Sequence, residues 1–127
     1  MKYIKSDPSK IADPKEEGSH HQVPPAEYEK NLRELVAQLM ATNAKLIWCA
    51  TTPVPEGSAG RVPGDEIKYN ETATRIMKEN GIQINDLYTY AVAGKDIQLP
   101  ANVHYTPAGS KFLAEKVASE IKNLLPK

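Results

Sequence analysis

The stretch best suited to chemistry is Asn102-Val103-His104-Tyr105-Thr106-Pro107-Ala108-Gly109-Ser110. Thr106 is a good N-cap, because its hydroxyl accepts a bond from a free amide of a helix's first turn. Pro107 suits the first helical position, where its missing N–H costs nothing and its fixed φ fits. Phe112, Leu113, Val117, Ile121, Leu124 and Leu125 then fall mostly on one helical face. The spacing predicts a short loop that carries His104, held by a helix docked on a core. An imidazole so placed suits general-base work. The alternative is a loop histidine packed on Tyr105 or solvated.

Other reactive side chains offer less. Cys49 lies in Leu46-Ile47-Trp48-Cys49-Ala50, a continuous apolar run of the kind a parallel strand covered on both faces shows. It reads as a small buried hydrophobe, since a nucleophilic thiol needs exposure and a neighbouring base. His20-His21 stands near Glu16 and Glu17, but no third or fourth metal ligand follows at a recognised spacing. Ser58 lacks the G-x-S-x-G context, because Glu56 stands where the first glycine belongs. Arg61 is the only cation of the loop 53–65, rich in proline and glycine, that leaves the Lys45–Thr52 strand. Ligands of open α/β sheets bind outside the carboxyl ends of strands, so Arg61 is a candidate ligand-binding residue, and Asn102, close to His104, is the other. For Arg61 that means an anionic or hydroxyl-rich ligand, with a solvated loop arginine as the alternative.

These residues must be positioned by a modest core. The chain has 127 residues, which predicts one domain. Charge is balanced, with 16 basic and 16 acidic residues and no basic stripe, which disfavours nucleic acid. No apolar run approaches the ~18 residues of a membrane span, and Met1–Asp7 has no apolar h-region. One cysteine excludes an internal disulfide framework. These features fit an intracellular chain, cytoplasmic as written. They fit equally a secreted one whose first segment is missing.

Residues 1–25 are polar, punctuated by proline, and free of periodicity, so they read as an extended surface segment. A helix from 26 to about 42 follows, with Tyr28, Leu32, Leu35, Val36, Leu39 and Met40 at helical spacing and Asn43 as terminator. After the strand and loop, Gly64 or Asp65 caps a second helix to about Asn80. Its strip is Ile67, Asn70, Thr74 and Met77, with Ala73 and Ile76 beside it, and Gly81 closes it. Ile82 to Tyr88 reads as a second strand, and Asp86 as a cap. The alternation predicts βαβ units and a parallel sheet. Two strands are too few to cover three amphipathic helices, so further strands must lie in the N-terminal segment or come from another chain.

From about residue 22 onward the sequence resembles the C-terminal half of an SGNH hydrolase, a GDSL-type esterase or lipase. The resemblance lies in Tyr28–Val36, Lys45–Pro55, Tyr69-Asn70-Glu71, Asn85-Asp86-Leu87-Tyr88 and Val103–Gly109, in that order and spacing. It implies a partial flavodoxin-like parallel sheet flanked by helices, in an α/β unit spanning 26–127 and lacking its N-terminal strands. It also implies cleavage of carboxylic esters, often acyl groups on carbohydrate, by a serine nucleophile without metal or other cofactor, and His104 as catalytic base. Two departures stand out. The Gly-Asp-Ser-Leu nucleophile block and the glycine and asparagine blocks of the oxyanion hole are absent, and the chain reads as starting where they would end. The family's acid, three residues before the histidine, is replaced by Ala101. The expectation is negligible hydrolysis by this chain alone, an acyl-ester or carbohydrate ligand, and self-association through an exposed strand edge. The other reading is a non-catalytic, carbohydrate-binding or self-associating remnant.

Overall fold

The computed structural model describes residues 1–125. The last two positions of the expected 26–127 unit lie outside the described residues. Eight elements alternate along the chain: β1 (Tyr3–Ile4), β2 (His20–His21), α1 (Pro25–Met40), β3 (Ile47–Cys49), α2 (Asp65–Glu79), β4 (Gln83–Asn85), α3 (Leu87–Ala93) and α4 (Pro107–Leu124). This is a mixed α/β architecture of four helices and two small sheets.

β3 and β4 pair in parallel, with Ile47, Trp48 and Cys49 opposite Gln83, Ile84 and Asn85. Side chains alternate across a strand. Trp48 and Ile84 therefore share the face that packs on Leu32 and Val36 of α1 and on Ala73, Ile76 and Met77 of α2. On α2 the inward residues are Tyr69, Ala73, Ile76 and Met77, a spacing of four, three and one that makes one helical stripe. The stripe is turned from the predicted one, and Ile67 is exposed. On the rim of this packing Arg33 and Arg75 each bridge Glu29 and Glu79, a solvated ring that joins α1 to α2.

Cys49 corrects the sequence reading, since it is exposed. β3 has a strand neighbour on one side only among the described residues, and the face that carries Cys49 is left uncovered, whereas Ala50 on the other face is buried. Leu35, Leu39 and Met40 of α1 are also exposed, although they belong to its apolar strip.

Residues 1–25 also differ from expectation. They form a folded flap, with β1 antiparallel to β2 and Tyr3 opposite His21. Ile4 and Ala12 are buried beneath it. The flap is a separate two-stranded sheet and supplies no strand to β3–β4.

Its latch is a polar cluster at the start of α2. His21 Nε2 lies 2.8 Å from Asp65 Oδ2, and the Tyr3 hydroxyl donates to the same oxygen at 3.3 Å. Tyr3 packs on His21, which meets Tyr69 edge-on. The Tyr69 hydroxyl donates to the Val23 carbonyl at 2.7 Å, and burial pushes that phenol up to about 12. Burial alone would raise the Asp65 carboxyl, but the hydrogen bond and charge of His21 and the Tyr3 hydroxyl hold it below its ordinary value. A carboxyl depressed by folding contributes stability above its unfolded value of about 3.9. That contribution is lost as pH falls through the lower folded value. The flap should therefore loosen below about pH 4. Amide exchange at Ala12 and Gln22, which donate to Tyr3 and Lys2 carbonyls, should accelerate there ahead of the α1–α2 core. Asp65→Asn should flatten that acid limb; an unchanged limb would place the titration elsewhere.

Candidate functional site

Two loops at one end of the β3–β4 sheet form the site. The first follows β3. Asn70 on α2 grips its start through paired bonds, accepting from Thr51 N and donating to Thr51 O, both at 2.8 Å. Glu66, 2% exposed, grips both flanks of residues 54–64: Oε1 accepts from Val54 N at 3.2 Å and Oε2 from Gly64 N at 2.9 Å. Buried carboxylates are tolerable when backbone donors satisfy them. Gly60 has φ +61° and lies against Ile11 of the flap, while its carbonyl accepts from Tyr3 N at 2.8 Å.

The second loop carries His104. Asp86 caps α3 by accepting from Thr89 N at 3.0 Å, as its position suggested. The helix it starts replaces the end of the strand expected over 82–88. The chain then returns through a tight antiparallel turn, with Leu99 N donating to His104 O at 3.0 Å and Thr106 N to Ile97 O at 2.9 Å. Asn102 Oδ1 accepts from His104 N at 3.0 Å, an Asx-turn at the apex. Thr106 caps α4 by accepting from Gly109 N at 3.0 Å, and Pro107 opens the helix. The anchoring predicted for this segment is therefore present.

The two loops meet where Gly57 faces Ala101: a Cβ at Gly57 would lie 3.0 Å from that of Ala101. Gln98 Nε2 adds a bond to Pro53 O at 3.0 Å. Between them lies a cavity of about 240 Å³ whose wall includes His104, Asn102, Ala101, Arg61 and Ser58. Ile11 of the flap closes one side. The wall continues into a larger hollow of about 750 Å³ between the flap and the 56–63 loop, with Ser58 and Arg61 common to both. Thus His104, Arg61 and Asn102 are brought to one cavity.

His104 is exposed, and among the described residues its ring has no hydrogen-bond partner. Neither Ser58 nor Asp96 bonds to it. Ser58 is 7% exposed, and its hydroxyl is buried without a partner. Arg61 Nη1 is likewise buried and unbonded. Sequence reasoning passed over Ser58 as a site residue, because its place in the wall depends on contacts between loops far apart in the chain. His21, set apart in the sequence as a weak metal candidate, is engaged by Asp65. No group of three His, Cys, Asp or Glu among the described residues is arranged to hold a metal. No helix among them is long and apolar enough to cross a membrane.

No protein-family profile matches the chain, and no curated protein matches it. Among solved structures it is similar to LAE5, an alpha/beta hydrolase enzyme from the metagenome of Lake Arreo, Spain. The two superpose with a TM-score of 0.63 at 23% sequence identity. The likeness is one of α/β fold alone. The match covers 82% of this chain and 50% of the other, so this chain spans about half the length of that enzyme.

Proposed function

We propose that the chain is the base-bearing half of a serine ester hydrolase of the SGNH type, with a partial flavodoxin-like sheet. The observation that carries this reading is His104 on a rigid, capped turn, lining the same cavity as Arg61 and Asn102. In such a reaction the imidazole takes a proton from an attacking serine and returns it to the leaving alcohol. The nucleophile and the oxyanion donors come from a second segment that adds strands at the free edge of β3. The ligand is an acyl ester, with acylated carbohydrate as the class the family resemblance favours. Alone, the chain hydrolyses esters negligibly, because the attacking group is missing and oxyanion donors are worth several kcal/mol each. Without that segment, the exposed edge favours self-association.

The test is co-expression with the product of the coding sequence immediately upstream. A complex that cleaves a short-chain aryl acetate should lose about 10²–10⁴-fold in rate on His104→Ala. The stability of the chain should stay within about 0.5 kcal/mol, since the ring is exposed and unbonded. A complex equally active with His104→Ala would remove the histidine from the mechanism. One observation favours a second reading, a non-catalytic, carbohydrate-binding remnant: Ala101 leaves the ring without an orienting carboxylate. Binding of an acylated sugar with no turnover in any such complex would select it.

A further inference from the structure

The small cavity has a polarity of its own. Its wall holds Arg61, Ser58, Asn102 and His104, and no acidic residue. Arg61 enters none of the ion pairs among the described residues and makes no side-chain hydrogen bond there. Its Nη1 is shut away from solvent without an acceptor, and so is Ser58 Oγ, on a residue 93% buried. Buried donors are almost always satisfied, and leaving one unpaired is costly. Both residues line the one cavity, and among the described residues the chain supplies no acceptor for either of these groups. Asn102 offers little of that acceptance, because its Oδ1 is already engaged by His104 N. Its amide N–H groups add two further donors.

We propose that this cavity binds a small oxyanion, with Arg61 as its charged anchor and Ser58 as a second donor, so that the ligand handled at His104 carries a negative group beside the reacting ester. A guanidinium pairs with planar and tetrahedral oxyanions through two parallel N–H bonds. A hydroxyl rotates freely to donate to the same ion. The volume of about 240 Å³ suits a carboxylate or phosphate group with a few attached carbons, not a long acyl chain. The larger adjoining hollow carries Asp13 and Glu56 against Lys15 and Arg61, so the wall free of acidic groups is that of the small cavity. The inference rests on the same cavity as the ester-hydrolase reading but not on turnover. Its failure would leave the base assignment of His104 intact, and an inactive complex would not touch it.

The test is ligand binding to the full 127-residue chain, read by amide chemical shifts and by thermal shift. Sodium acetate and inorganic phosphate are titrated separately, at an ionic strength held constant with chloride. Saturable shifts at Ser58, Arg61 and Asn102 are expected with at least one of the two. Response to acetate alone points to the acid product of an ester. Response to phosphate alone points to a dianionic substituent on the alcohol. Arg61→Met, which keeps the apolar stem, should weaken binding at least about tenfold. Arg61→Lys should recover part of the loss, and Ser58→Ala should cost about three- to fivefold. In anion-free buffer Arg61→Met should melt no lower than the parent chain, which keeps the variant informative. Chloride matching both anions, or binding that survives Arg61→Met, would overturn the proposal.

Discussion

Gly109→Ala should destabilise the chain by about 3 kcal/mol, although alanine is favoured over glycine inside a helix by roughly 1 kcal/mol. Gly109 lies in the first turn of α4 and is the one buried residue of that helix. A Cβ built there would fall on the Ile97 carbonyl oxygen, and would lie 2.9 Å from Ile97 Cα. Those are backbone atoms, held by Thr106 N and Thr106 Oγ1, and they cannot swing aside as a side chain can. The helix must therefore lift from the turn 97–106, and the mount of His104 goes with it. Steric exclusion exceeds the propensity gain because the clash is with fixed backbone. Urea unfolding measures the loss. A neutral or stabilising substitution would mean that α4 does not seat on this turn, and that His104 is held by something else.

Glu66→Ala should cost about 3 kcal/mol, the second large effect. The carboxylate is buried at the start of α2 and satisfies two backbone amides ten positions apart, Val54 and Gly64. Charge-assisted bonds of this kind contribute about 1.5–3 kcal/mol each, and truncation leaves both amides without an acceptor. The negative charge also sits in the first turn of α2, where the helix dipole favours it. Glu66→Gln keeps one acceptor oxygen and should lose less. Hydrogen exchange at Val54 and Gly64 separates a local from a global effect: both amides should become labile before the α1–α2 core. The anion response of Ser58 and Arg61 should weaken in parallel, since the loop that carries them is the one released.

What the sequence reveals divides by range. The mount of His104 is legible because its causes are local: the hydroxyl of Thr106, the fixed φ of Pro107 and the apolar stripe of α4 all lie within a few residues. The same holds for α1, for the left-handed Asn43 that follows it and for Gly81 after α2. The clasp between His21 and Asp65 joins residues 44 positions apart, and no spacing rule announces it. Glu66 looks like an ordinary acidic residue at a helix start, and its burial depends on a loop folded back over it. α3 is only seven residues long, too short for a periodic stripe, and its β-branched and aromatic residues extend the strand pattern of Ile82–Asn85. Cys49 illustrates the reverse case. An apolar run predicts burial on both faces, but burial needs a layer on each, and the face of β3 that carries Cys49 is uncovered.

The same mismatch between an apolar sequence and an open edge underlies the reading of the chain as half of a site. His104, Arg61 and Asn102 line one cavity, and the one serine in its wall, Ser58, is buried and unbonded to the imidazole. On the function proposed above, the attacking group comes from outside this chain.

The most direct measurement is intact mass of the purified chain after treatment with a serine-reactive phosphonate, beside aryl acetate turnover with and without His104→Ala. No adduct is expected, and turnover should be equal in parent and variant. One adduct per chain on Ser58, together with turnover that disappears in His104→Ala, would contradict it. That result would make Ser58 the nucleophile and the 127-residue chain a complete, if small, hydrolase.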